Sequence, residues 1–148
     1  MIDVRLSRIV IRNGTDQQWI FLSEVDGERG FPIIIGSNEA YEIHRVVTKQ
    51  QPQRPLTHQL AYASIEALGA TLRRVDIVDL RNNTFFAQLV LNDKAGDPAV
   101  VDARPSDALA LGLRAQCPIR VAESVLEQAR TDTNGPDPLP DPDLDEEF

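Results

Sequence analysis

AVVDARPSDALALGLRA, residues 99–115, reads as a strand that hands the chain to a helix through a turn carrying Asp102, Arg104, Ser106 and Asp107. The apolar run Ala99-Val100-Val101 is expected to be a buried strand, and the Ala- and Leu-rich run from Asp107 to Arg114 a helix. Two carboxylates and a guanidinium within six positions are unusual at a strand end, where neutral turn residues would suffice. Two readings stay open at this point. In the structural one, Ser106 is the N-cap, Asp107 the first-turn anion favoured by the helix dipole, and Arg104 a surface partner. In the functional one, the same groups line a site.

Outward from this stretch the chain alternates strands and helices. Ile2, Val4 and Leu6, followed by Ile9-Val10-Ile11, give a strand over 2–12. Trp19–Val25 and Phe31–Ile35 complete an antiparallel meander, with Asn13-Gly14 and Gly30 at its turns. Helical spacing from Asn38 to Val47 predicts a first helix capped by Ser37 or Asn38, and Glu39 stands in its first turn. His44 lies on the largely apolar side of that helix and is expected to be a satisfied core or interface histidine. The Pro-containing connection 49–55 is exposed. Thr57 is the expected N-cap of a second helix reaching Leu68, with Gly69 ending it. Leu72–Leu80 and Phe85–Leu91 flank Arg81-Asn82-Asn83-Thr84 as a hairpin. A short strand, Ile119–Val121, and a helix from Glu123 to about Arg130 close the body. The expected class is α+β: a mixed, largely antiparallel sheet with three to four helices in a single domain over 1–130.

Charge is unevenly placed. The chain carries −8, but residues 132–148 hold seven of its 23 acids and no base, so 16 acids face 15 bases elsewhere, a net of −1. A strongly basic footprint for bulk polyanion binding is therefore absent, although the arginines suit bidentate contacts with phosphate. The segment 131–148, with four prolines and these acids, is too poor in apolar surface to repay ordering and is expected to be a disordered tail. No run approaches a membrane span and the N-terminus reads as a strand, so the expectation is a cytoplasmic protein without a membrane partner. Cys117, the single cysteine, excludes an intramolecular disulfide. Beside Pro118 it is expected to be a small buried filler rather than a nucleophile.

Several segments together, FPIIIGSNEAYEI, RPLTH, LGATLRRVDI, TFFAQLVL and above all VDARPSDALALGLRAQCPIRVAESVL, resemble the bifunctional nuclease domain family over roughly residues 1–128. The resemblance implies an α+β fold, self-association as a homo-oligomer, and hydrolysis of DNA and RNA with a divalent metal, Mg²⁺ or Mn²⁺. Gly36, Glu39 and Ala40 match the family's first strand-to-helix element, Arg54, Pro55, Thr57 and His58 its loop before the second helix, and Asp102, Arg104, Pro105, Ser106 and Asp107 the third element. Gln59 stands where the family commonly has an acid, and Asn82-Asn83 where it commonly has Asp-Gly. An amide oxygen coordinates weakly and cannot act as a base.

Phosphodiester hydrolysis needs an activated water and stabilised charge on phosphorus. The candidate parts are His58, Asp102 and Asp107 as catalytic groups, Arg54, Arg104 and Ser106 as the phosphate grip, and Glu39, Asp102 and Asp107 as metal ligands. Two rival readings use the same turn. One is a non-catalytic module that binds an anion or a partner through the arginine-rich turn. The other is a subunit interface built on Arg104 and its neighbouring carboxylates.

Overall fold

The computed structural model describes residues 1–132 and 144–148. Two antiparallel meanders build one eight-stranded sheet. In the first, β1 (Ile2–Ile11), β2 (Gln18–Glu24) and β3 (Gly30–Ile35) pair in sequence, and in the second β4 (Thr71–Arg81), β5 (Thr84–Asn92) and β6 (Pro98–Ala103) do the same. The three-residue β7 (Ile119–Val121) joins them, antiparallel to β1 and parallel to β4, giving the order β3-β2-β1-β7-β4-β5-β6. The domain is thus α+β, with a mixed, mostly antiparallel sheet and four helices: α1 (Ser37–Val47), α2 (Thr57–Ala67), α3 (Pro105–Ala115) and α4 (Glu123–Asp132).

Strand alternation explains the core. Ile20 and Leu22 of β2 pack inward with Ile9 of β1, Ile33 and Ile35 of β3, and Val75, Ile77, Ala87 and Leu89 of the second meander. Helix α3 adds Ala108, Leu109 and Ala110 to this cluster, and α4 adds Val125 and Leu126. Gly112 sets how closely α3 approaches the sheet: a Cβ there would lie 2.6 Å from Val75 Cγ2, so any larger residue would lift the helix off β4. The β4–β5 hairpin turns on Asn82 and Asn83, both left-handed (φ 51° and 61°), which fits the two-residue turn whose twist matches the flanking strands.

The helix starts differ from expectation. Gly36, Leu56 and Arg104 occupy the N-cap positions, and no side chain caps any of the three helices through a hydrogen bond there. Pro105 explains α3: its fixed φ suits the first helical position, so the helix begins before Ser106, which is then buried inside the first turn. At α2, Thr57 is already helical and Gln59 Oε1 accepts the Leu56 N–H at 2.7 Å, reaching back as the third helical residue does in a capping box.

Strand β6 also departs from its reading. It is the outer strand of the sheet and is exposed, with Val100 58% and Val101 46% accessible, so the apolar run is an open edge and not a buried strand. Helix α2 buries no residue fully, and Leu60 and Leu68 face solvent. The end of the segment expected to be disordered is ordered: β8 (Leu144–Glu147) pairs antiparallel with residues 8–11 of β1, and Glu146 Oε1 lies 3.1 Å from His44 Nε2. Residues 131–132 end α4, and the expectation of disorder for 133–143 falls outside the described residues. Among the described residues no helix is long and apolar enough to cross a membrane. Cys117 is half-buried and its thiol pKa is raised by that burial, in keeping with a filler.

Candidate functional site

Three helix starts meet at one place. Glu39 comes from the first turn of α1, His58 from the first turn of α2, and Arg104 with Asp107 from the start of α3. They form a chain of contacts. His58 Nε2 lies 2.7 Å from Asp107 Oδ1, Arg104 Nε donates to Asp107 Oδ2 at 2.9 Å, and Arg104 Nη2 donates to Glu39 Oε1 at 2.8 Å. The two oxygens of Asp107 therefore serve different partners, fixing the imidazole on one side and the guanidinium on the other. Glu39 and His58 are largely covered, at 16% and 17%, whereas Arg104 is 67% exposed. The Arg104 pKa is raised by its hydrogen bonds to Glu39 and then Asp107, so the cation is held through the whole accessible pH range.

Gly36 leaves the room for this arrangement. A Cβ at that position would fall 2.6 Å from Glu39 Oε2, so any side chain there would displace the carboxylate that steadies Arg104. Gln59, by contrast, is spent on the start of α2 and takes no part in the contacts around His58.

Not all candidates converge. Asp102 sits on exposed β6 opposite Gln88, and strand alternation directs it away from the face on which Leu89 and Ala87 pack against α3. Arg54 is exposed in the connection between α1 and α2. Among the described residues neither makes an ion pair with the cluster. Ser106 is buried beside Arg104 and Pro105 on the wall of a cleft with an open volume of about 680 Å³. That cleft lies between the β3 edge, the β4–β5 hairpin tip and the start of α3, and its wall includes Trp19, Ile34, Thr84 and Phe85. In the sequence Trp19 and Phe85 read only as strand residues. Arg104 belongs to both the cluster and the cleft.

The donor set does not fit the expected metal centre. Glu39 and Asp107 both face the Arg104 guanidinium, which takes the space between the two carboxylates that a cation would need, and Asp102 lies outside the cluster. Among the described residues no group of three or more His, Cys, Asp or Glu side chains is arranged to hold a metal ion. What the arrangement supplies is a histidine oriented by a carboxylate, next to an exposed guanidinium at the mouth of a cleft.

These features define a small α+β domain in which a histidine–carboxylate contact and an exposed arginine meet where three of its helices begin. The chain belongs to the bifunctional nuclease domain family, whose profile matches residues 20–134. Two uncharacterized proteins of Mycobacterium tuberculosis, from strains CDC 1551 and H37Rv, are each 42% identical over 129 residues, covering 87% of this chain and 76% of theirs. Bifunctional nucleases 1 and 2 of Arabidopsis thaliana are 29% and 30% identical over 92 and 93 residues, covering 61% of this chain and 28% of each relative.

Proposed function

We propose that the protein is a nuclease-like hydrolase of nucleic-acid phosphodiester bonds, with His58 as the proton-transfer group. The observation that carries this reading is the 2.7 Å contact between His58 Nε2 and Asp107 Oδ1 beside the exposed Arg104. A carboxylate bound to one imidazole nitrogen fixes the ring's orientation and leaves the other nitrogen to take a proton from the attacking water or give one to the leaving oxygen. Arg104 supplies charge for the phosphoryl oxygens and is accessible enough to exchange part of its contact with Glu39 and Asp107 for substrate. Membership of the bifunctional nuclease domain family and the printed names of the Arabidopsis relatives support the choice of reaction and of a nucleic-acid partner. No step is assigned to a metal, because the carboxylates that would hold one are engaged by Arg104.

A second reading is favoured by one specific fact: the four charged groups satisfy one another, as a non-catalytic anion-binding module would require at rest. One assay separates the two. Purified protein and His58→Ala are incubated with single- and double-stranded DNA and RNA in Mg²⁺, Mn²⁺ or chelator. The nuclease reading expects cleavage that His58→Ala abolishes. Binding without cleavage under every condition supports the anion-binding module, and cleavage indifferent to the substitution overturns the assignment of His58.

A further inference from the structure

We propose that the cleft beside Arg104 is a stacking site for an unpaired nucleobase, with Trp19 as its platform, so that the nucleic acid taken by this protein is single-stranded. The inference rests on the nuclease-like reading for its ligand class. Its geometry is independent of the acid–base pair.

Trp19 lies on the outward face of β2, opposite the face on which Ile20 and Leu22 enter the core, and it is only half-buried. A large aromatic left there does little for the core. It is held in place nonetheless. Its ring stacks on Phe21 with centroids 6.5 Å apart and planes at 22°, and Phe21 is in turn covered by the Arg8 guanidinium at 5.1 Å. Across the strand pair Trp19 faces Ile34, which is 50% exposed on the free edge strand β3. Phe85 and Thr84 also line the cleft, Phe85 from the core side, where it stacks on Phe31 with centroids 5.6 Å apart. The volume of about 680 Å³ is ample for one nucleotide.

The charges indicate how a nucleotide would lie. Arg104, exposed on the cleft wall, supplies a cation there, while Asp16, another exposed wall residue, accepts the Ser37 N–H at 3.0 Å and adds a carboxylate beside the start of α1. A phosphate is favoured at Arg104 and disfavoured beside Asp16, leaving the apolar wall to the base. The charge balance points the same way. Outside residues 132–148 the chain is close to neutral, so counterion release supplies little affinity and base contacts must supply the rest. A base inside a duplex is stacked on both faces and cannot enter a pocket, whereas an unpaired base swings in freely.

Trp19 is the chain's one tryptophan, so its fluorescence reports on the cleft directly. The experiment titrates the full chain with oligothymidylate, the same strand in a duplex, an abasic sugar-phosphate strand of equal length, and inorganic phosphate. Quenching by the single strand alone is the expected result. Labelled-strand anisotropy should show binding weakened on the order of tenfold in Trp19→Leu and nearly retained in Trp19→Phe. Equal quenching by the abasic strand or the duplex, or unchanged binding in Trp19→Leu, overturns the proposal. So does a Trp19 signal that changes with protein concentration alone, which would mean that a second copy covers the cleft. The readout is binding, so a response at Trp19 in a protein that does not cleave would sink the hydrolytic reading and leave the stacking site standing.

Discussion

Helix α1 is tied to α3 twice, by Glu39 to Arg104 and by Glu42 to Arg114, and the two ties differ in their access to water. Glu42 is 1% exposed and is held at 2.7 Å by Arg114 and at 3.0 Å by Arg45. Both of its oxygens are used, and the carboxylate itself is shut away from solvent. The Glu39 tie ends on a guanidinium that is 67% exposed and adds a histidine through Asp107. The same acid–arginine chemistry therefore does two jobs. Buried, it fixes the crossing of two helices; at the surface beside a cleft, it presents a cation that can change partners at little cost.

That contrast can be broken experimentally. The largest expected effect is on activity at the open cluster: Asp107→Asn, which removes the charge orienting His58 and bridging to Arg104, should lower cleavage on the order of 100-fold, measured with a fluorogenic oligonucleotide. The next is on stability at the buried one. Glu42→Gln leaves Arg114 and Arg45 without their counter-charge and should cost about 2–3 kcal/mol in chemical denaturation, below the full figure for a buried pair because both arginines are partly exposed. Its folded fraction should keep normal cleavage. Smaller again is Arg104→Ala, expected to weaken strand binding about tenfold while leaving the denaturation midpoint nearly unchanged, as for other exposed ion pairs.

The smallest effect concerns a third cluster, where Arg29 of the β2–β3 turn meets Glu24 and Glu123. Its hydrogen bonds hold both carboxyls below the usual carboxylate range. Because these folded values are depressed, the stability they contribute is fully present above the unfolded carboxylate pKa and is lost as pH falls through the folded ones. Arg29→Ala should therefore lower stability slightly at neutral pH and flatten its acid decline, read from melting temperatures across an acid titration.

The contrast between the clusters also marks how far sequence could reach. The first meander and the β4–β5 hairpin were legible because alternation writes one buried face into each strand, and the Asn82-Asn83 turn because left-handed conformations favour asparagine. Helix caps were misplaced because Ser106 and Thr57 are strong capping types, whereas Pro105 and the Gln59 reach-back set the real starts. Ala99-Val100-Val101 reads as buried by composition, and only the strand order reveals it as an edge. Residue types marked His58, Asp107 and Arg104 through family resemblance, but their meeting depends on three helix starts from distant parts of the chain, which no spacing encodes. Trp19 was missed because an aromatic in an alternating strand looks the same whether it faces core or cleft.

The most direct test of the account measures cleavage and thermal unfolding together in His58→Ala and Glu42→Gln. The account predicts crossed effects: cleavage lost with the melting temperature unchanged in the first, and the melting temperature lowered with cleavage by folded protein unchanged in the second. A His58→Ala protein that melts early and still cleaves would contradict it, since the open cluster would then be a structural tie like its buried counterpart.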